Sequence, residues 1–124
     1  MEKIVLDTNI LIEILKGNKT IIDKLELFSA TFCISSITVM ELYYGAFNKV
    51  ELFQLKKFTS LFTVIEVNEN ISKISTELIF EYSKSHNLAI PDSLIASTAI
   101  SIDSKLLTLN LKDFKYIDGL VLVK

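Results

Sequence analysis

Short apolar runs alternate with helix-forming segments along the chain, and this alternation restricts the possible folds more than any other feature. Five runs have the length and composition of buried strands, at residues 4–6, 32–34, 62–67, 106–109 and 120–123. Strands that alternate with helices predict an α/β sandwich with a mainly parallel central sheet. A length of 124 residues suits one core, so residues 1–124 are predicted to form a single domain.

Capping and helix-breaking residues mark the ends of the predicted helices. The first helix follows residue 9 and is expected to stop at Gly17, and a long helix is expected between Asn68 and Asn87. Others are expected over residues 37–47 behind a Ser35 or Ser36 cap, around residues 52–58, and from Pro91 onward. A helix therefore follows each of the first three predicted strands.

The charge balance and the cysteine content exclude several classes of protein. Thirteen lysines, no arginine and fifteen acidic residues give a net charge of -2, so no strong basic patch indicates nucleic-acid binding. Cys33 is the only cysteine, which excludes an intramolecular disulfide and a thiolate metal cage. The composition is compatible with a reducing cytosol.

The sequence has neither the pattern of a membrane span nor that of a secretory signal. The longest stretch without a charged side chain, residues 27–40, is shorter than the ~18 apolar residues that a spanning helix needs. Asp7 and Glu13 interrupt the N-terminal apolar run at once. We therefore expect a cytoplasmic protein with no membrane partner. Because 50% of the residues are hydrophobic, more than so small a core can use, we also expect self-association as a homodimer.

Four acidic residues stand out by their positions in this pattern. Three of them have apolar or small neighbours, where an ionised carboxylate is costly unless a cation gathers it. The four are Asp7 after the first strand, Glu41 inside the second helix, Asp92 in the first turn after Pro91, and Asp113 after the fourth strand. Oxygen-only ligands favour Mg²⁺ or Mn²⁺ over zinc. Such an ion would lower the pKa of a bound water and favour phosphodiester hydrolysis.

Other catalytic chemistries lack the residues that they need. His86 is the only histidine, so a metal-free ribonuclease mechanism with two histidines is excluded. The sequence contains no Gly-x-Ser-x-Gly elbow, no phosphate-binding Walker loop and no Gly-x-Gly-x-x-Gly motif. His86 itself, next to Asn87, is expected to lie at a solvated helix end. Carboxylates with a metal ion remain as the candidate chemistry.

Each acid also has a purely structural explanation. Asp7 would serve as a helix N-cap, and Asp92 as a favourable charge in a first helical turn. Glu41 is a poor cap in mid-helix but would simply face water, and Asp113 is an ordinary turn residue. Only the four positions together indicate a site.

Four motifs in order make the pattern specific. They are Leu-Asp-Thr-Asn-Ile-Leu-Ile at 6–12, Ile-Ser-Ser-Ile-Thr-Val-Met-Glu-Leu-Tyr-Tyr-Gly at 34–45, Pro-Asp-Ser-Leu-Ile-Ala-Ser-Thr-Ala at 91–99 and Leu-Thr-Leu-Asn-Leu-Lys-Asp-Phe at 107–114. Their sequence and spacing resemble the motifs of PIN-domain ribonucleases, most closely the VapC-type toxins. The resemblance covers nearly the whole chain and implies a PIN-like α/β/α sandwich.

The resemblance implies a role for each matched residue. Asp7, Glu41 and Asp92 would bind Mg²⁺ or Mn²⁺, and Asp113 would complete the catalytic set. Many relatives carry an acid near the position of Asn110, so the Asn110 amide is the alternative to Asp113. The supporting residues are Thr8, Asn9, Thr108 and Asn110. The family also implies cleavage of RNA, a homodimer, and neutralisation by a small cognate antitoxin.

Competing functions differ in the acids that they require. A phosphoreceiver domain needs adjacent acids after its first strand, but Leu6 precedes Asp7, and a haloacid-dehalogenase-like phosphatase needs an acid where Asn9 stands. A PIN-like module that binds RNA or protein without cutting has no need for costly clustered acids. A housekeeping RNA-processing nuclease of the same fold stays open.

Overall fold

A computed structural model describes residues 2–124 and contains one five-stranded sheet in which every strand runs parallel to its neighbours. The strands are β1 Glu2–Leu6, β2 Ala30–Ser35, β3 Thr63–Ile65, β4 Lys105–Leu107 and β5 Val121–Leu122. The helices are α1 Thr8–Leu15, α2 Lys19–Glu26, α3 Ser36–Tyr44, α4 Lys49–Thr59, α5 Glu69–Tyr82 and α6 Ile90–Ser101. A short 3-10 helix spans Leu111–Asp113.

Strand β1 lies at the centre of the sheet, whose order is β3-β2-β1-β4-β5. Val5 of β1 pairs with Cys33 on one side and with Leu106 on the other. Because all five strands run in one direction, their carboxyl ends share one edge of the sheet. The strand order reverses at β1 and β4, and open α/β sheets bind ligands beyond the carboxyl ends at such a point.

Alternating side chains of the strands contribute to two separate cores, one on each face of the sheet. Val5, Cys33 and Leu106 pack in the core that includes residues of α5, α6 and the C-terminal segment. Ile4, Leu6, Ile34 and Leu107 pack in the core that includes residues of the first four helices. Helices therefore cover both faces, which confirms the predicted α/β/α sandwich.

The main errors of the sequence-based prediction concern element boundaries and one missing helix. Helix α2 was not predicted, although Asn18 caps it by accepting a hydrogen bond from the Ile21 N–H at 3.4 Å. Helix α3 ends at Tyr44 rather than at residue 47, because Asn48 adopts an extended backbone and caps the next helix. The strands predicted at 62–67, 106–109 and 120–123 are shorter, at Thr63–Ile65, Lys105–Leu107 and Val121–Leu122.

Two helix ends agree with the predicted turn chemistry. Gly17 follows the C-cap of α1 with φ +76°, a conformation that glycine adopts most readily. Helix α5, by contrast, ends at Tyr82 rather than at Asn87, which lies beyond it with φ 59°. Ser35 is the cap of α3, and its hydroxyl accepts a hydrogen bond from the Ile37 N–H at 3.2 Å. Within residues 2–124, no helix has the length and apolar character needed to cross a membrane.

Candidate active site

The sheet brings the four predicted acids to its carboxyl edge from different parts of the chain. Asp7 follows β1 directly, and Glu41 lies in α3, the helix that follows β2. Asp92 lies in the first turn of α6, and Asp113 ends the 3-10 helix that follows β4. The parallel sheet therefore gathers residues that are up to 106 positions apart, from Asp7 to Asp113.

Asp7 is buried, with 5% of its surface exposed, and both of its carboxylate oxygens accept hydrogen bonds. Oδ1 accepts from the backbone N–H of Thr8 at 2.8 Å, which caps α1. Oδ2 accepts from the hydroxyl of Thr108 at 2.8 Å, beyond the end of β4. The capping role explains only the first bond, since the second fixes the carboxylate across the edge of the sheet.

A chain of hydroxyl groups connects Glu41 to the start of α1. The Thr8 hydroxyl donates to Glu41 Oε1 at 2.7 Å and lies 2.9 Å from the Thr38 hydroxyl. A hydroxyl has a single proton, so Thr8 accepts from Thr38 while it donates to Glu41. Thr38 is fully buried and lies one helical turn before Glu41. Thr38 is a site residue that the motifs do not single out, and its i,i+3 spacing to Glu41 is the one signal for it in the sequence.

The remaining predicted supporting residues join the start of α1 to the loop after β4. The side-chain amide of Asn9 donates to the Thr108 hydroxyl oxygen over a long 3.5 Å, and Asn9 Oδ1 accepts from the Leu109 N–H at 3.3 Å. The backbone N–H of Asn110 donates to the same Thr108 oxygen at 2.9 Å. Thr108 thus receives two hydrogen bonds and directs its own proton to Asp7.

Asp92 differs from Asp7 and Glu41 because it has no partner among the described residues. Its carboxylate is half-buried and makes no hydrogen bond or ion pair with any of residues 2–124. Burial, and then the negative charges of Asp7, Asp113 and Glu41, raise the pKa of Asp92 to about 6. A cation would stabilise an unpaired carboxylate that is repelled by the charges of three others.

The pKa of Asp7 is also raised, and burial is the largest cause. The hydrogen bonds from Thr108 and Thr8 favour the charged form and oppose this shift, while the charges of Glu41 and Asp113 add to it. Asp7 and Asp92 thus each respond to the same two further acids, Glu41 and Asp113. The structure therefore brings Glu41 and Asp113 within electrostatic reach of both Asp7 and Asp92.

The donor atoms suit a hard divalent cation in type, although the side chains do not enclose one as they stand. Among residues 2–124, no three histidine, cysteine or acidic side chains form a group that could hold a metal ion. The three ion pairs of this part of the chain join Glu13 to Lys16, Glu69 to Lys73 and Glu2 to Lys105. The four acids therefore keep an excess negative charge that no lysine neutralises, and a cation would draw the oxygens closer.

The Thr108 hydroxyl should contribute measurably to stability through the carboxylate that it holds. We expect Thr108→Val to lower the free energy of unfolding at neutral pH by about 1.5–3 kcal/mol, the usual contribution of a hydrogen bond to a charged group. Urea unfolding measures the change. Thr98→Val is the matched control, because Thr98 is fully buried but donates to the Leu94 carbonyl of its own helix at 2.7 Å. Equal losses in the two variants would show that Asp7 gains nothing special from Thr108.

The model of the PIN domain family matches residues 4–120 of this chain. The chain belongs to the PIN-domain family. This PIN domain is 31% identical to the tRNA(fMet)-specific endonuclease VapC of Salmonella typhimurium, over 97% of the chain and 96% of that relative. The resemblance inferred from the four motifs is therefore confirmed.

Solved structures of related chains have the same fold. One is VapBC2 from Rickettsia felis bound to a DNA fragment from their promoter, with a TM-score of 0.83, 32% identity, and coverage of 98% of this PIN domain and 97% of the other chain. A second is a toxin-antitoxin complex from Klebsiella pneumoniae, with a TM-score of 0.80, 34% identity and coverage of 94% of both chains. Nearly the whole of this PIN domain thus aligns with a chain in each of these two structures.

Proposed function

We propose that this PIN domain is a metal-dependent endoribonuclease that hydrolyses RNA phosphodiester bonds as the toxin of a toxin–antitoxin pair. The observation that carries the proposal is the unpartnered Asp92 carboxylate, which lies within reach of the charges of Asp7, Glu41 and Asp113. A relative at 31% identity named as a tRNA(fMet)-specific endonuclease supports the reaction class. A likeness to a toxin-antitoxin complex supports the toxin role.

Asp7, Glu41 and Asp92 are the residues that we propose to hold Mg²⁺ or Mn²⁺. When bound, such an ion supplies a water of lowered pKa and neutralises charge on a phosphoryl oxygen. The fit rests on the oxygen-only donor set and on the mutual repulsion of the carboxylates. Each of these acids would act through its negative charge and its position alone.

The surrounding residues give each acid a different freedom of movement. Asp7 is fixed by Thr8 and Thr108, and Glu41 is held through the hydroxyl of Thr8. Asp92 has no such partner among residues 2–124, so it is free to adjust its position toward a ligand or substrate.

Asp113 is proposed as the fourth member of the catalytic set, at the rim of the site. It is exposed in the 3-10 helix, and its charge raises the pKa of both Asp7 and Asp92. Asn110, the alternative fourth member, begins that 3-10 helix and contacts the site through its backbone N–H to Thr108. Its side chain makes no capping hydrogen bond and is therefore free to face substrate.

Cleavage of defined RNAs by the purified chain tests the proposed activity. Because a relative is named for tRNA(fMet), initiator tRNA is the first substrate to try, beside an unstructured single-stranded RNA. We expect cleavage in Mn²⁺ or Mg²⁺ and none in excess EDTA. A chain that binds RNA but never cuts it would instead support the non-catalytic module, and RNA cleavage without growth arrest on expression would favour a housekeeping nuclease.

A groove beside Glu41 suits the proposed antitoxin. Ile12 and Leu15 of α1 and Leu55 of α4 line it, together with Glu41 itself. Ile12 and Leu15 are 39% and 47% exposed, so the groove presents apolar surface that a bound antitoxin would remove from water. A peptide segment seated there would also restrict access to Glu41. Co-expression with a small protein encoded beside this chain should then relieve growth arrest.

We also propose that residues 1–124 act as one domain, in the cytoplasm where RNA is available, and that two copies form a homodimer. Large apolar side chains are highly exposed on and beside α3 and α4, including Tyr44 at 94%, Phe47 at 89%, Phe53 at 71% and Leu61 at 77%. Such a surface in a small domain indicates a protein partner.

Light scattering over micromolar concentrations should give the mass of a dimer. Phe53→Glu should shift the equilibrium toward the monomer, because it places a charge on an apolar surface that the dimer would bury. Thr76→Glu is the matched control, since Thr76 is exposed on α5, which packs with the core on the opposite face of the sheet. A wild-type monomer throughout the range would contradict the dimer.

A further inference from the structure

Three aromatic rings pack together beside the acidic centre. The rings of His86 and Tyr116 are stacked, with centroids 4.0 Å apart and an interplanar angle of 9°. Tyr82, at the end of α5, contacts both rings edge to face, at 5.7 Å from His86 and 5.1 Å from Tyr116. This aromatic cluster joins the end of α5 to the segment that follows the 3-10 helix.

The cluster lies next to two of the four acids, because Tyr116 follows Asp113 by three residues and His86 precedes Asp92 by six. Burial raises the pKa of the Tyr116 phenol, and the charges of Asp92 and Asp113 raise it further. Tyr116 is therefore within reach of two of the proposed catalytic residues. The Tyr82 hydroxyl accepts a hydrogen bond from the Asp118 N–H at 3.2 Å, which also ties the segment of Tyr116 to α5.

The exposure of the three rings increases outward through the cluster. Tyr82 is buried at 8%, Tyr116 is half-buried, and His86 is exposed. Packing of the C-terminal segment against α5 accounts for the two tyrosines but does not require the outer imidazole. The Ser85 hydroxyl lies 2.8 Å from His86 Nδ1, so the exposed ring also has a neighbour that restrains its orientation.

From this geometry we infer that the His86–Tyr116 stack binds a nucleobase of single-stranded RNA, on the exposed face of His86. The inference rests on the proposed function, and it identifies a contact with the RNA substrate next to the catalytic acids. Histidine and tyrosine rings stack with unpaired bases, and every base offers a flat face for such a contact. A base held there would place the adjoining backbone beside Asp92 and Asp113. The chain has no arginine, so no arginine side chain can contribute to RNA binding. Aromatic stacking would supply part of that affinity instead.

RNA binding without cleavage tests the contact independently of catalysis. A short single-stranded RNA that carries 2-aminopurine is titrated with the full chain in EDTA, and both the affinity and the fluorescence of the modified base are followed. We expect wild type to quench the base on binding. His86→Ala should bind roughly 5- to 150-fold more weakly, the range for loss of one base–aromatic stack, and should not quench it.

Further variants separate the effect of a flat ring at position 86 from that of a positive charge there and from general surface effects. His86→Phe should restore affinity and quenching, because it keeps a flat ring, whereas His86→Lys should behave like His86→Ala. Phe80→Ala is the matched control, since Phe80 is an exposed aromatic residue of α5 outside the cluster. Circular dichroism melts verify that each variant is folded.

The outcomes distinguish this inference from the proposed function. Quenching that depends on a ring at position 86, in a chain that never cuts RNA, would support the stack and remove the nuclease. Metal-dependent cleavage with equal RNA affinity in wild type and His86→Ala would overturn the stack and leave the nuclease. Absence of RNA binding by wild type, or weak binding by His86→Phe, would also overturn the inference.

Discussion

Asp7→Asn, Glu41→Gln and Asp92→Asn are each expected to lower RNA cleavage by at least about 100-fold, because a lost metal ligand removes several kcal/mol of transition-state stabilisation. Each substitution keeps the shape of the side chain and deletes its charge. We expect the fold to persist. Glu41→Gln keeps an oxygen for the Thr8 hydroxyl, whereas Asp7→Asn keeps one for the Thr8 N–H but gives up the second acceptor, for the Thr108 hydroxyl, at a cost in stability like that of Thr108→Val. Initial rates on a single labelled RNA, with circular dichroism melts, measure both properties.

Asp113→Asn should lower the rate less than the other three changes, because Asp113 is exposed at the rim. Asp103→Asn is the matched control: Asp103 is an exposed acid after α6, at the opposite edge of the sheet, and its φ of 52° suits asparagine. Full activity of Asp92→Asn would remove the proposed metal site. Complete loss in Asp113→Asn, equal to that in Asp7→Asn, would instead mean that Asp113 binds the ion directly.

The fold was predictable because its main signals are local. Runs such as Ile4–Leu6 are buried at 0% exposure in the centre of the sheet, and their alternation with capped helices defines an α/β chain. Helix α2 was missed although Asn18 and the apolar Ile21 and Leu25 carry the same kind of signal. The positions of strand ends were wrong because a strand stops where its pairing with the neighbouring strand stops, and composition does not show that point. The edge strand β3, which pairs with β2, is an example.

The acids of the site were selected from the sequence, but most of their contacts could not be. Thr108 is named only through the family resemblance, since it lies 101 residues from Asp7 and no local pattern encodes the hydrogen bond between them. Thr38 was not selected because a threonine in a helix has many ordinary roles. The aromatic cluster was missed for a similar reason, since His86 and Tyr116 meet only through the packing of the C-terminal segment on α5.

The second large effect concerns stability without metal, which should fall as the pH rises. The pKa of Asp92 is raised from 3.8 to about 6 in the folded chain, first by burial and then by the other acids, and the pKa of Asp7 is raised as well. The native state therefore binds more protons than the unfolded state between these values. The contribution of Asp92 is fully present below about pH 4 and is lost as the pH rises through about 6. We expect a loss of roughly 1–2 kcal/mol, after allowance for solvent screening of a half-buried carboxyl.

Divalent cations should reverse this loss, because they bind the ionised native site far better than the unfolded chain. At a metal concentration about 100 times the dissociation constant, linkage adds about 2.7 kcal/mol to the free energy of unfolding. The gain should be large at about pH 7.5 and small at about pH 4.5, where protons compete for the same carboxylates.

Asp92→Asn should lose most of the stabilisation by Mn²⁺. It should also lose the pH-dependent change in stability between about pH 4 and 6, so that without metal it is more stable than wild type at about pH 7.5. Thermal melts of both proteins at the two pH values, with Mn²⁺ or with EDTA, measure these differences, and Asp103→Asn should follow wild type throughout. A wild-type melting temperature that ignores millimolar Mn²⁺ at about pH 7.5 would show that Asp7, Glu41 and Asp92 do not form a common metal site.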